Sequence, residues 1–189
     1  GPPDRNPMIH MRFGLAALAH MRWLNWGYQT EAEPGLMNRR LYWPRGRVLG
    51  GSSSINAMIY MRGHPQDYFD WASAAGPDWD WPRVRQIFKD LEDNQSLTDD
   101  HHGQGGPLTV SDLVQPNPLS RAFVQAGLEC QFPVNPDFNG ADQTGVGLYQ
   151  VTQKHGQRFS AAKAFLDPVR DRPNLTVLTG ALVHRVRFD

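Results

Sequence analysis

Gly50 and Gly51, followed without a break by Ser52, Ser53 and Ser54, constrain local structure more than any other segment of this 189-residue chain. Adjacent glycines let the backbone enter the left-handed region and pass close to another group without a steric penalty. The serines are good N-cap residues, and Ile55, Met58 and Ile59 then fall at i, i+3 and i+4, so a helix is expected to begin within residues 52–54. A loop feeding such a helix presents unpaired N–H groups and the positive end of the dipole, which suits an anion or an electron-rich edge. A capped turn without any ligand explains the same residues, and on the local pattern alone it is the simpler account.

Three further helices follow from apolar spacing. Val84, Ile87, Phe88 and Leu91 form one stripe, with Asp80 as N-cap and Pro82 in the first turn, where its missing N–H costs nothing. Leu119, Ala122, Phe123 and Ala126 form another, opened by Asn117-Pro118. Ala162, Phe165, Leu166 and Val169 form the last, opened by Ser160, with Arg158 expected to pin it. Strands are expected at residues 108–110, 147–152, 175–178 and 182–188. The first forty residues carry Trp23, Trp26 and Tyr28 with no sustained period and read as an extended loop. With 18 glycines and 15 prolines, many turns separate short elements, which argues against a simple bundle. The fold class expected is α+β.

Nineteen basic residues balance nineteen acidic ones and are scattered, so no net field attracts nucleic acid or an anionic membrane. Cys130 is the single cysteine, which excludes an internal disulfide and an all-cysteine metal cage and fits a reducing compartment. The most apolar stretch, residues 13–19, is far shorter than the ~20 residues that span a bilayer. The location expected is cytoplasmic, or peripheral to the inner membrane, with no transmembrane segment.

Residues 44–63, Pro-Arg-Gly-Arg-Val-Leu-Gly-Gly-Ser-Ser-Ser-Ile-Asn-Ala-Met-Ile-Tyr-Met-Arg-Gly, closely resemble the first family motif of glucose–methanol–choline (GMC) oxidoreductases. The likeness continues through Asp67-Tyr68, Trp71-Ala72, Phe88-Lys89 with Glu92, and His102-Gly103 with Gly106-Pro107-Leu108. It ends in Gly156-Gln157-Arg158-Phe159-Ser160-Ala161-Ala162 and Arg172-Pro173-Asn174-Leu175-Thr176-Val177, so nearly the whole chain is covered. The choline-dehydrogenase-like branch is the nearest.

This resemblance implies an internal fragment of an FAD-dependent enzyme that oxidises a small primary alcohol. Residues 1–62 and 158–189 would belong to an FAD-binding α/β domain, and residues 63–157 to an α+β substrate domain. It further implies that Gly50, Gly51, Ser52, Ser53 and Asn56 contact FAD, and that the backbone of Val183 meets the adenine. Relatives that attach FAD covalently carry a histidine just before the asparagine; Ile55 stands there, so non-covalent FAD is expected. The family's Gly-x-Gly-x-x-Gly loop and acidic ribose ligand should precede this sequence, and its C-terminal catalytic histidine should follow it. No catalytic residue is therefore assigned within the chain. Two alternatives stay open: a lyase or decarboxylase on the same scaffold, and a non-catalytic fragment completed by another chain.

The other chemistry-bearing residues have plainer explanations. Gly145-Val146-Gly147 lacks the third glycine of a dinucleotide loop, having Gln150 instead. His101-His102 have no third ligand at metal spacing and are expected in a surface loop. Arg158 and Ser160 are expected to pin and cap a helix, a role near the flavin being the sharper but weaker alternative. Cys130 is expected to be a small buried hydrophobe, and Trp71, Trp79 and Trp81 core residues.

Overall fold

The computed structural model describes residues 1–11 and 14–188, and the chain divides into two compact units, Gly1–Ala57 with Gln157–Asp189 and Met58–Gly156. Short helices and small two-stranded sheets make up both, an α+β construction.

The first unit opens with two single-turn helices, α1 (Pro7–His10) and α2 (Leu15–Leu18). Asn6 caps α1 by accepting from Met8 N at 2.9 Å, and Pro7 occupies the first turn. Strands β1 (Tyr28–Gln29) and β2 (Tyr42–Trp43) pair antiparallel, Tyr28 opposite Trp43. The leading segment is thus more structured than an extended loop, because Asn25 ties it together by donating to Ala19 O at 2.7 Å and accepting from Gly27 N and Arg45 N at 3.0 Å each. Ile9, Leu18, Leu24, Val48 and Ile55 form one buried cluster beneath these elements. Of the apolar stretch 13–19, Phe13 lies outside the described residues. No described helix is long and apolar enough to cross a membrane.

In place of the helix expected to begin within residues 52–54 and carry Ile55, Met58 and Ile59 there is a single 3₁₀ turn, Gly51–Ser54, ended by Ile55. Two competing uses of the backbone stop it: Met58 has φ +65°, and Tyr60 N donates to Gln150 O at 2.9 Å, as a strand residue would. The last expected helix forms as a turn of π-helix, Ala162–Leu166, followed by a 3₁₀ turn, Asp167–Val169, where Pro168 breaks the regular ladder. Ser160 does open it, its Oγ accepting from Lys163 N at 3.4 Å.

In the second unit, α3 (Pro65–Ala75) was not signalled by the aliphatic pattern. His64 caps it and Asp67 returns a bond to the His64 N–H at 3.1 Å, a capping box with Pro65 in the first turn. Its stripe is aromatic: Tyr68 stacks on Trp81 at 5.3 Å and meets Trp71 edge-on at 5.6 Å, while Trp71 meets Trp79 at 5.3 Å. Trp71 and Trp79 keep about half their surface exposed, so they flank rather than fill the core. Helix α4 (Trp81–Leu91) forms as expected, Asp80 accepting from Trp81 N at 2.9 Å. It leads directly into β3 (Glu92–Asn94), which pairs parallel with β4 (Leu108–Val110), Glu92 opposite Leu108. Helix α5 (Pro118–Glu129) is capped by Asn117, and Cys130, its C-cap, is exposed rather than buried.

Three expected strands do not form. Residues 147–152 contribute only isolated bridges from Val151 to Ile59 and Ser111, and residues 175–178 and 182–188 pair with nothing among the described residues. A strand is defined by its partner, and alternation alone does not supply one.

Candidate functional site

The glycine–serine segment lies in the first unit and is held by hydrogen bonds from its own serines and from Arg158. Gly50 and Gly51 have φ +86° and +58°, so both use the conformation that only glycine adopts without strain. A Cβ on Gly50 would strike the Ser54 Oγ, whereas a Cβ on Gly51 would meet nothing within 4 Å. Gly50 is therefore required by packing, and Gly51 turns a bare backbone toward open space.

The serines work locally. Ser54 is buried and its Oγ donates to Leu49 O at 2.8 Å; Ser53 Oγ donates to Gly50 O at 2.5 Å and accepts from Ala161 N at 2.9 Å; Ser52 Oγ accepts from Gly46 N at 3.2 Å. Ser52 and Asn56 are exposed, Gly50, Gly51 and Ser53 are half-buried, and Ile55 points into the apolar cluster. The turn thus offers backbone and Asn56 to a ligand while its other side chains fix its shape.

Arg158, only 2% exposed, locks the segment from behind. Its Nη1 donates to Ser53 O at 3.0 Å and Asn56 Oδ1 at 2.8 Å, and its Nε donates to Ile9 O at 2.8 Å. Arg158 was expected to pin the helix that follows it; its hydrogen bonds instead pin this turn. Burial lowers its pKa to about 10, so it is a cation at neutral pH. Its Nη2 is buried without a hydrogen-bond partner.

Val183 is not drawn into this constellation. It is 75% exposed and unpaired, although its neighbours Gly180, Ala181 and Leu182 line a cavity of about 380 Å³ with Trp23, Trp26 and Arg47.

The second unit holds a buried polar cluster that sequence reasoning missed. Glu92 is fully buried and accepts from Arg62 Nη2, His102 Nδ1 (3.0 Å), Asn94 Nδ2 (2.8 Å) and Gly103 N (3.1 Å). Burial alone would raise its pKa, but the bonds from His102 and Asn94 and the Arg62 charge outweigh that and lower it. His102 is buried, not on a surface loop: the chain between β3 and β4 folds inward so that its ring spans Glu92 and Asp137, each at 3.0 Å. Burial would lower its pKa, yet these two carboxylates raise it. Asp99, His102 and Asp137 lie close enough for a metal. The same ring nitrogens are already shared with the Glu92 carboxylate, the Asn94 amide and the Asp137 carboxylate. The signal available in the sequence was a Glu, an Asn and a His within eleven residues of one another beside a short strand.

With this geometry in view, the family model described as GMC oxidoreductase matches residues 13–189. The chain belongs to the GMC oxidoreductase family. This GMC chain is 55% identical to an alcohol dehydrogenase [acceptor] of Pseudomonas putida over 190 residues, covering 100% of the chain and 34% of that relative. It is 42% identical to an oxygen-dependent choline dehydrogenase of Brucella anthropi over 180 residues, 95% of the chain and 33% of the relative. Pyridoxine 4-oxidase from Mesorbium loti superposes with a TM-score of 0.92 at 38% identity, covering 100% of this chain and 38% of that one. An FAD-dependent oxidoreductase from Chaetomium thermophilum gives 0.87 at 27% identity, over 100% and 34%. The chain spans about a third of the length of the curated relatives it matches.

An FAD edge fits the residues present. The bare Gly51 backbone leaves room for a flat ring, Asn56 supplies an exposed amide, and a buried guanidinium with an unspent donor stands behind them.

Proposed function

We propose that the full-length protein containing this chain oxidises a small primary alcohol with non-covalently bound FAD, and that Gly50, Gly51, Ser52, Ser53 and Asn56 line the flavin. FAD would supply the hydride acceptor. The observation that carries this reading is the Gly50-Gly51 turn, open at Gly51 and clamped through Asn56 by Arg158 in a chain of the GMC family. This chain's own residues would bind and orient: Gly51 admits the ring edge, Ser52 and Ser53 hold the turn's shape, and Asn56, fixed through its oxygen by Arg158, lies at the ring.

On this reading residues 1–62 and 158–189 are portions of an FAD-binding domain and residues 63–157 a portion of a substrate domain. The Val183 backbone meets the adenine, and proton abstraction belongs to groups outside this chain. The buried Ile55 in place of a linking histidine supports non-covalent attachment. A cytoplasmic location, or one peripheral to the inner membrane, accompanies this reading and rests on the single cysteine.

The test is spectroscopic. Purified full-length protein should show flavin absorbance that is released into the supernatant by denaturation, and Asn56→Leu should lower FAD retention. Flavin that stays on the denatured chain contradicts non-covalent attachment; protein devoid of flavin contradicts the cofactor.

A further inference from the structure

Among the described residues two arginines are buried to a similar degree, and only one of the two has a counter-charge. Arg62, 3% exposed, is paired with Glu92. Arg158, 2% exposed, bonds only to uncharged acceptors: the carbonyls of Ile9 and Ser53 and the amide oxygen of Asn56. Among the described residues no carboxylate lies within ion-pair distance of it, and that includes Asp4, the other buried charged side chain of the first unit. Its Nη2 is spent on nothing. An unpaired buried cation is expensive to maintain, and a purely mechanical clamp for Ser53 and Asn56 could be built from neutral donors.

We infer that Arg158 is an electrostatic positioning residue, an uncompensated buried cation whose charge favours the reduced, anionic flavin over the oxidised one. This rests on the reading that the 50–56 segment faces FAD. In the reaction, an alcohol carbon gives up its C–H hydride to neutral oxidised flavin, its hydroxyl proton goes to a base outside this chain, and the carbonyl product leaves. Two electrons and one net negative charge thereby arrive on the ring system. In a poorly solvated site a fixed positive charge is screened little, so it stabilises that product state more than the starting one. The groups turned toward Arg158 do not titrate: α1 offers the Ile9 carbonyl, and the turn offers Ser53 O and Asn56 Oδ1. His10, the next residue of α1, directs its ring to Asp4 O at 2.8 Å.

The experiment is the midpoint potential of FAD bound to the full-length holoenzyme, measured by spectroelectrochemistry for wild type, Arg158→Gln and Arg158→Lys. The glutamine variant should lower the two-electron reduction equilibrium at least tenfold, about 30 mV to the negative side. The lysine variant, which keeps charge but not the fork of hydrogen bonds, should stay within about threefold of wild type. A glutamine variant that binds flavin at an unchanged potential overturns the inference, as do equal shifts in both variants, which would mark a mechanical role. Should the glutamine variant not fold, the lysine variant decides alone. Its buried amine loses charge well below an arginine, so its potential should fall more steeply with rising pH than wild type; a parallel slope overturns the inference. Wild-type protein without flavin overturns the cofactor reading itself, which the other outcomes leave standing.

Discussion

Replacing Glu92 by Gln should destabilise the second unit severely while leaving its volume unchanged. Glu92 is 0% exposed and carries the negative charge facing both the Arg62 guanidinium and the His102 ring, each withdrawn from water. Glutamine keeps one acceptor oxygen, which serves Asn94 or Gly103 but not both, and removes the charge, leaving Arg62 with His101 O at 2.7 Å and His102 with Asp137 at 3.0 Å. Breaking a buried ion pair from one side costs about 3–5 kcal/mol, because the abandoned charge stays desolvated. Equilibrium urea unfolding followed by tryptophan fluorescence reads this directly, since Trp71 and Trp81 pack on Tyr68 and Trp79 packs on Trp71 in the same unit. The pH profile gives a second signature. His102 has a raised folded pKa, so its contribution is complete below the unfolded value and is lost as pH rises through the folded one. Glu92 has a lowered folded pKa, so its contribution is complete above the unfolded value and is lost as pH falls through the folded one. Wild type should therefore show a stability plateau on the mildly acidic side, between the unfolded glutamate and histidine values, and Glu92→Gln should flatten both flanks, the acid one most. A loss below about 1 kcal/mol with an unchanged profile would refute the reasoning and mean that the cluster behaves like an exposed ion pair.

Gly51→Ala should cost only the left-handed torsional strain, about 1–2 kcal/mol, since its Cβ meets open space. Gly50→Ala should cost about 1 kcal/mol more, because the added methyl displaces Ser54 from Leu49 O; thermal unfolding that ranks the two the other way contradicts this packing. Asp80→Ala should destabilise by about 1 kcal/mol through loss of the α4 cap, checked by circular dichroism melting, with Asp80→Asn largely restoring it.

Much of this was legible along the chain. Helices α4 and α5 were readable because cap, proline and apolar stripe all pointed one way: Asp80, Pro82 and Val84 in one, Asn117, Pro118 and Leu119 in the other. Helix α3 was missed because its stripe is built from Tyr68, Trp71 and Ala72 rather than aliphatics, although His64-Pro65 announced its start. The family was legible for a different reason: a twenty-residue motif around Gly50 carries the residues that a tight glycine turn requires, and the family match over residues 13–189 agrees.

The sequence by itself determined the α+β class, the well-capped helices, the glycine turn and the family, since each depends on residues close together in the chain. Only the tertiary structure decided that Ile55 ends the turn by entering the core, that Arg158 reaches back across the chain to Asn56, and that His102 is buried between two carboxylates. Burial, counter-charge and strand pairing are properties of partners distant in sequence. Periodicity gives the face a residue presents, and packing alone chooses what meets it.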